Sequence, residues 1–254
     1  MDKHPLSLFI VWFGAFFLLT VSAGAASFDI KPIKISFKAR THAEKLVIRN
    51  LSDNDLSLQV TVLKWSQDKE GKDIYEETPD IVIFPKILTI PKGEEKIIRV
   101  GTTLKPALRE GTYRVYVEEL PVKNTQSEQA GLRIVMKVGV PVFISPVKSD
   151  EKGTIGSSTM EKGRAVFRVD NNGNTHFIIR TLKVICKNDQ GKEIFSKDLG
   201  AWYHLSGVSR TYETNIPHSI CAKLAKIDVV VKTASNSMKG GLKVTDGMCG
   251  RHPE

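Results

Sequence analysis

The side chains that could carry out chemistry are scattered along this chain and form no catalytic motif. The adjacent carboxylates Glu118 and Glu119 lie on a predicted strand, so they point to opposite faces and cannot act as an acid–base pair. The serine-rich stretch 156–160 lacks the Gly-x-Ser-x-Gly turn that exposes a nucleophile. No phosphate-binding or zinc-binding motif is present, and the histidines after residue 26 occur singly: His42, His176, His204, His218 and His252. We therefore predict a protein that is not an enzyme and has no metal and no cofactor.

The first 25 residues have the pattern of a cleaved secretory signal peptide. Lys3 and His4 precede an apolar run from Leu6 to Val21, and small residues at 23–25 suit a cleavage site. The run is too short for a membrane anchor, and no second stretch is long or apolar enough to span a bilayer. We expect an exported mature chain that begins at or near Ala26 and has no membrane span.

Export exposes the three cysteines to an oxidising compartment, where cysteines usually pair. Two predicted strands, at 227–233 and 242–245, are joined by a polar, glycine-containing loop. Folding this hairpin brings Cys221 within a few residues of register with Cys249, which predicts a Cys221–Cys249 disulfide. Cys186 lies within an apolar strand and is expected to be a small core residue with a free thiol.

The formal net charge of +9 comes from basic residues that are spread singly through both halves of the chain. Nowhere do five or six of them cluster with aromatic side chains, so we do not expect the chain to bind nucleic acid. The charge suits either a partner that carries carboxylates or a solvated surface.

Strand patterns recur at short spacing without a convincing amphipathic helix, which is typical of β-sandwiches. About 229 residues follow the signal peptide, enough for two domains, and the polar segment 146–153 suits a connection between them. We predict an all-β protein with two immunoglobulin-like β-sandwich domains, at 26–146 and 147–254. The predicted strands are 28–37, 44–50, 56–65, 81–84, 95–100, 112–119 and 132–145, then 164–170, 175–188, 192–198, 209–214, 226–233 and 241–248.

Residues 131–146 carry a continuous apolar stripe. Five apolar residues of one parity lie on one face of a single long strand: Leu132, Ile134, Met136, Val138 and Val140. Pro141 cannot donate to a ladder, so this strand is predicted to lie at a sheet edge, at least at that end. Such an edge can pair with a partner by strand addition, whereas an ordinary strand would turn the same stripe towards its own core. Both interpretations remain open at this point.

An ordered set of segments resembles one known family. Residues 90–100 read Ile-Pro-Lys-Gly-Glu-Glu-Lys-Ile-Ile-Arg-Val, and residues 113–121 read Tyr-Arg-Val-Tyr-Val-Glu-Glu-Leu-Pro. A polar loop and an alternating strand that ends in Pro-Val-Phe-Ile-Ser-Pro follow them. Behind a signal peptide, this set resembles the PapD-like periplasmic chaperones of chaperone–usher systems. The resemblance is strong from 84 to 146 and looser in the second half.

The resemblance implies a periplasmic chaperone whose two sandwiches form a boomerang. Such a chaperone binds pilus or fimbrial subunits by donor-strand complementation, filling the groove that a missing strand leaves in each subunit. It then delivers the subunit to an outer-membrane usher. The family assigns the donor role to the strand that carries the apolar stripe.

The resemblance also implies two basic residues that hold the carboxylate at the subunit's C-terminus. Aligning the residues before Phe37 places Lys34 at the first position, where many relatives have arginine. The second position is Pro141 in this chain, a clear departure from the family. Lys137, which has the same parity, and Lys148, just past the strand, are the alternatives for the missing cation.

In the same way, Arg99 and Glu110 align with residues of the family's interdomain salt bridge, and Asp228 is a candidate for the acid of the second domain. Two other protein classes remain open. The chain could be a pilus subunit or adhesin, although the first domain has a full set of strands. It could also be a generic exported binding protein on the same double scaffold, because a fold alone does not determine function.

Overall fold

A computed structural model of the chain describes residues 28–38, 40–68, 70–121, 135–245 and 247–250. The predicted signal peptide lies outside these residues, as do Leu132 and Ile134 of the apolar stripe. The described part is almost entirely β-structure and contains two sandwiches, each with its own apolar core. The predicted fold class is confirmed.

The first sandwich is built from two sheets. Its described strands are β1 (Phe28–Lys31), β2 (Ile35–Phe37), β3 (Ala43–Asn50), β4 (Leu56–Gln67), β5 (Asp73–Glu77), β6 (Ile81–Phe84), β7 (Ile87–Ile90), β8 (Glu95–Thr102), β9 (Gly111–Glu119) and β10 (Lys137–Ile144). One sheet has the order β1-β3-β8-β6, and the other has the order β2-β10-β9-β4-β5, with β7 also paired to β4.

Alternation along the strands decides which side chains form the first core. In β9, Tyr113, Val115 and Val117 are buried, while Arg114 and Tyr116 lie on the opposite face of the sheet. The predicted strand 28–37 is two strands in different sheets. Pro32 lies between them and cannot donate a ladder hydrogen bond, which accounts for the break.

The second sandwich follows the same plan. Its described strands are β11 (Gly153–Glu161), β12 (Arg164–Asn171), β13 (Phe177–Ile178), β14 (Thr181–Lys187), β15 (Glu193–Asp198), β16 (Tyr203–His204), β17 (Ser209–Asn215), β18 (Lys226–Lys232) and β19 (Ser237–Lys243). They form a β11-β12-β17 sheet, a β15-β14-β18-β19 sheet and a small β13-β16 pair.

A short helix, α1 (His218–Cys221), precedes β18. Among the described residues, no helix has the length and apolar character needed to cross a membrane. The strand before the C-terminus begins at Ser237, four residues earlier than the sequence pattern predicted, so Gly240 and Gly241 lie inside β19 and not in the hairpin loop.

A buried asparagine ends β3 in the first sandwich and β12 in the second in the same way. Asn50 donates from Nδ2 to the carbonyl oxygens of Asn54 and Ile90, at 2.8 and 2.9 Å. Asn171 donates from Nδ2 to the carbonyl oxygens of Thr175 and His204, both at 2.9 Å. The two domains therefore share a turn whose buried carbonyl groups are satisfied by one side chain.

Candidate functional site

The strand β10 has one open edge over part of its length. Antiparallel pairing to β9 covers all of Lys137–Ile144, whereas parallel pairing to β2 covers only Val142–Ile144. Among the described residues, the backbone of 137–141 therefore has a strand partner on one side alone. The edge was predicted at the Pro141 end, and this is corrected in part: Pro141 itself lies in the open stretch, but β2 covers the strand immediately after it, so the open edge extends towards Lys137 and not towards Ile144.

The three described residues of the apolar stripe face the core of the first sandwich. Val140 is buried, with 2% of its surface exposed. Val138 and Met136 are partly buried and pack against the same core. Val140 is the most buried of the three, and the stripe continues in the sequence to the predicted donor residues Ile134 and Leu132, which lie outside the described residues.

Lys137 lies on the outer face of β10 and is already engaged. Its Nζ is 2.8 Å from Oε2 of Glu118, its register partner on β9, and 5.1 Å from the centre of the Tyr116 ring. About half of the Lys137 and Glu118 side-chain surfaces is exposed, so solvent screens this pair.

Arg114, which belongs to no predicted site, lies beside Pro141, where the sequence departs from the family pattern. These two residues are register partners. The Arg114 guanidinium carbon is 4.1 Å from the centre of the Trp65 ring and 5.5 Å from that of Tyr75. Its Nε is buried and donates to no partner in the part of the chain that the structure describes. A Cβ at Gly139 would come within 2.8 Å of Arg114 Cδ, so this glycine makes room for the stacked arginine.

Lys34 lies in the same row of the sheet as Pro141 and Arg114. Ile35 pairs with Val142 in the parallel ladder, which places the two preceding residues, Lys34 and Pro141, side by side. Lys34 is exposed and has the parity of Arg114, because Ile35 and Tyr113 both point into the core. At two strand spacings, the Cα atoms of Lys34 and Arg114 are about 10 Å apart.

Lys148 follows β10 by four residues and is exposed. Its carbonyl oxygen accepts a hydrogen bond of 2.8 Å from Asn174 Nδ2, so its backbone belongs to the joint between the sandwiches. The cations of this surface thus differ in their surroundings. Lys137 is paired, Lys148 is tied to the joint by its backbone, and Lys34 and Arg114 flank Pro141.

An apolar cluster joins the two sandwiches behind this row. Trp65 and Phe143 of the first sandwich pack against Tyr203 and Leu205 of the second. His176 stacks on Phe143 with ring centres 3.8 Å apart. Burial raises the pKa of Tyr203 above its ordinary value, which keeps its hydroxyl neutral.

Polar bonds complete the joint. Glu110 Oε2 accepts hydrogen bonds from the backbone N–H of His176, at 2.8 Å, and contacts its Nδ1 at 2.7 Å. Gln67 donates to the carbonyl of Tyr203 at 3.1 Å and accepts from the N–H of Leu205 at 3.0 Å. The joint is therefore stabilised both by packing of apolar side chains and by hydrogen bonds between the two sandwiches.

The structure does not bring together the residues that were expected to form an interdomain salt bridge. Arg99 lies on β8 between Phe84 and Lys45, away from Glu110, whose described partner is His176. Asp228 pairs with lysines of its own sheet. Among the three, only Glu110 contributes to the joint.

The cysteines are arranged as predicted. Cys221 and Cys249 form a disulfide, and Cys186 is a buried free thiol whose pKa is raised by burial to about 11. Within the described residues, no group of three or more histidine, cysteine, aspartate or glutamate side chains is arranged to hold a metal ion. The surface described above offers backbone groups, apolar side chains and cations, which suit the binding of another polypeptide.

The described residues form two immunoglobulin-like sandwiches with an open strand edge near their joint. Residues 27–150 match the family described as pili and flagellar-assembly chaperones, PapD N-terminal domain. The first domain of this chain therefore matches the N-terminal domain of the PapD-like chaperones, and the predicted resemblance is confirmed. A comparison with curated proteins finds no match.

Solved structures with the same fold come from pilus systems. A chain of the CsuC–CsuE chaperone–tip adhesion subunit pre-assembly complex from the archaic chaperone-usher Csu pili of Acinetobacter baumannii is 22% identical, with a TM-score of 0.59; the match covers 85% of this chain and 98% of that one. The class 5 fimbriae chaperone CfaA is 17% identical, with a TM-score of 0.57 and coverage of 86% and 99%. A chain from the Salmonella enterica SafA pilin–SafB chaperone complex is 15% identical, with a TM-score of 0.54 and coverage of 86% and 98%.

Proposed function

We propose that this protein is a periplasmic chaperone that binds pilus or fimbrial subunits by donor-strand complementation and delivers them to an outer-membrane usher. The observation that carries the proposal is the open edge of β10 at residues 137–141, on the strand whose apolar stripe continues in the sequence through Met136 to Ile134 and Leu132. The open backbone offers a ladder, and the stripe offers side chains for alternate pockets in the partner.

The energetics fit this role. Burying a large apolar side chain contributes about 1.5–3 kcal/mol, so Leu132, Ile134 and Met136 together supply a gross term on the order of 5–9 kcal/mol. Association entropy offsets much of this term. Because Met136 is unbranched and flexible, it suits subunit pockets of slightly different shape.

We further propose that Lys34 and Arg114 together hold the C-terminal carboxylate of the subunit. Lys34 supplies an exposed charge, and Arg114 supplies a guanidinium that Trp65 orients and that has no anionic partner among the described residues. Arg114 then supplies the second cation, because Pro141 occupies the position where the family has a basic residue. Lys137 and Lys148 contribute less to the binding of the carboxylate. A bound carboxylate accepts charge-assisted hydrogen bonds from both cations.

The donor-strand proposal is tested by substituting residues of one parity and of the other parity in separate variants and comparing their binding of subunits. The chain, with an affinity tag, is purified from the periplasm of its own bacterium, and bound proteins are identified by mass spectrometry. We expect immunoglobulin-like subunits that lack a final strand. The double variant Ile134→Asp and Met136→Asp should abolish their recovery, because it forces carboxylates into an apolar groove.

The matched control is Arg133→Asp with Val135→Asp, which introduces the same two aspartates one position earlier, at the other parity of the sequence. Subunit recovery should persist with this control. Equal loss in both double variants would show that charge alone disturbs binding, and recovery that persists in the first variant would reject the donor-strand proposal. Thermal unfolding of the free proteins separates loss of binding from loss of fold, since Met136 also packs on the core.

No observation in the described residues favours a pilus subunit, because β10 is already paired between β9 and β2 within the first sandwich. A generic exported binding protein would show neither subunit recovery nor dependence on the stripe, so the same experiment distinguishes it.

A further inference from the structure

The outer face of the large sheet in the second sandwich is crowded with lysines. Six of them point away from the core on three adjacent strands, and we call this surface the lysine face: Lys183 and Lys187 on β14, Lys226 and Lys232 on β18, and Lys239 and Lys243 on β19. Residues 147–254 carry 17 lysines and arginines against 11 aspartates and glutamates, so this half holds most of the net charge.

The register concentrates positive charge in one row. Lys187 is opposite Lys226, which is opposite Lys243 on the next strand. Like charges directly across strands destabilise a sheet. Asp228 offsets part of this cost, because its carboxylate lies 2.8 Å from Lys187 Nζ and 2.7 Å from Lys226 Nζ.

The remaining charge is not neutralised. Lys232, Lys239 and Lys243 are exposed and make no ion pair in the described part of the chain. The acids Glu193 and Asp198 lie on the edge strand β15, and Glu193 is 4.0 Å from Lys183. Three cations therefore face solvent on the side of the sheet away from those acids.

A shallow depression of about 550 Å³ lies within the lysine face, between β14, β18 and β19. Ile185 and Val230 contribute apolar surface to it, and four of the six lysines line it. Gly241 is opposite Asp228, and a Cβ there would come 2.4 Å from the carbonyl oxygen of Ile227. Close backbone packing thus keeps the position free of a side chain.

The composition of the lysine face distinguishes between two anionic partners, an acidic protein and a lipid surface. Protein interfaces are enriched in arginine, tyrosine and tryptophan and depleted in lysine. The outward residues of these three strands include no arginine and no aromatic side chain: Thr181, Lys183, Ile185, Lys187, Lys226, Asp228, Val230, Lys232, Ser237, Lys239, Gly241 and Lys243. A flat array of flexible lysines suits a surface of many mobile phosphates instead.

We propose that the lysine face binds the surface of an anionic phospholipid bilayer. Attachment is electrostatic and reversible, and it leaves the open edge of β10 in the other sandwich free. The proposal does not depend on the function proposed above, because it uses a different domain and a different kind of contact.

The test measures binding of the purified full chain to vesicles by sedimentation at low salt. Vesicles that contain phosphatidylglycerol should bind the protein, and vesicles of phosphatidylcholine alone should not. Each lysine near an anionic surface contributes about fivefold to the partition constant, so Lys232→Gln, Lys239→Gln and Lys243→Gln together should weaken binding by about 100-fold. Thermal unfolding confirms that the triple variant is folded.

The matched control is Lys152→Gln, Lys162→Gln and Lys223→Gln, which removes the same charge from loops of the same domain. This control should bind nearly as well as the original chain. A similar loss in both triple variants would show that net charge alone governs binding and would overturn the proposal. So would a lack of binding to phosphatidylglycerol vesicles, binding that persists in the first triple variant, or binding to polyglutamate without binding to vesicles.

Discussion

At the scale of single residues, the cations near Pro141 illustrate how surroundings decide a role. Lys137 is close to a carboxylate, whereas the Arg114 guanidinium contacts aromatic rings and forms no ion pair with the described residues. A cation that is oriented but not neutralised is suited to an incoming anion. Position in the sheet matters more here than residue type.

We therefore expect Arg114→Ala and Lys34→Ala each to weaken subunit binding by about 2–5 kcal/mol, since each leaves the bound carboxylate with an incomplete set of donors. Lys34→Arg should retain most of the affinity, because it keeps the charge and adds a guanidinium that can donate two hydrogen bonds to one carboxylate. Titration calorimetry with a recovered subunit measures the effect.

Lys137→Ala and Lys148→Ala serve as controls and should have smaller effects. If either of them weakens binding more than Arg114→Ala does, the missing cation has been assigned to the wrong residue. Binding that is unchanged in Lys34→Ala would remove the carboxylate contact at that position.

His204 makes the second sandwich sensitive to acid. Burial holds the pKa of His204 below its ordinary value of 6.5, and its Nε2 lies 3.0 Å from the carbonyl oxygen of Val208. As the pH falls below about 6.5, the unfolded chain binds a proton that the folded chain does not. Folding stability should then decrease by up to about 1.4 kcal/mol per pH unit from this group.

The measurement is urea unfolding at pH 7.5, 6.5 and 5.5 for the original chain and for His204→Gln. The variant loses stability at every pH because it loses ring stacking with Phe177. The informative quantity is the slope, which should be smaller in the variant. Identical slopes would mean that His204 is not the group that titrates.

At the scale of secondary-structure elements, the end of the chain is tied to α1 by the Cys221–Cys249 disulfide. The two cysteines are 28 residues apart in sequence and lie on either side of the β18–β19 hairpin. The bond therefore encloses the strands that carry most of the lysine face.

Replacing both cysteines by alanine should lower the stability of the second sandwich by about 3–4 kcal/mol in the chain-entropy account of disulfides. Denaturant unfolding of the two proteins gives this difference. Cys186 supplies an internal check, because its buried thiol should react with a thiol reagent only after unfolding. Rapid labelling of one thiol in the folded chain would contradict the burial of Cys186, and labelling of three thiols after unfolding without a reductant would contradict the pairing.

At the scale of the whole molecule, the joint between the sandwiches determines where the open edge points. Phe143 belongs to β10 itself and stacks on His176 of the other sandwich. The strand that is proposed to bind subunits is thereby anchored in the joint at one end and open near the other. A looser joint should alter subunit binding even when the residues of the apolar stripe are unchanged.

We expect Glu110→Ala to loosen this joint, because it leaves the partly buried backbone N–H of His176 without its acceptor, at a cost of about 1–3 kcal/mol. Small-angle scattering should show a larger spread of shapes, and thermal unfolding should separate into two transitions. Glu118→Ala, which removes a half-exposed pair with Lys137, should leave both measurements nearly unchanged. Identical behaviour of the two variants would show that Glu110 does not hold the domains together.

Local patterns alone determined much of this molecule. Alternation with a period of two residues predicted the strands and the apolar stripe, because a strand sends successive side chains to opposite faces whatever its partners are. Hairpin register alone predicted the pairing of Cys221 with Cys249. The same patterns could not separate the 28–37 segment into two sheets or find β5 and β7, which depend on pairing with distant strands.

Only the tertiary structure decided which residues meet. Arg114 has an ordinary place in an alternating strand, and its importance arises from long-range pairing that sets it beside Pro141 and over Trp65. The sequence could not place Arg99 away from Glu110, since their separation depends on which sheet and which face each strand joins. The period of a strand is a local property of its backbone, whereas register and neighbours are set by contacts between segments that the chain order does not bring together.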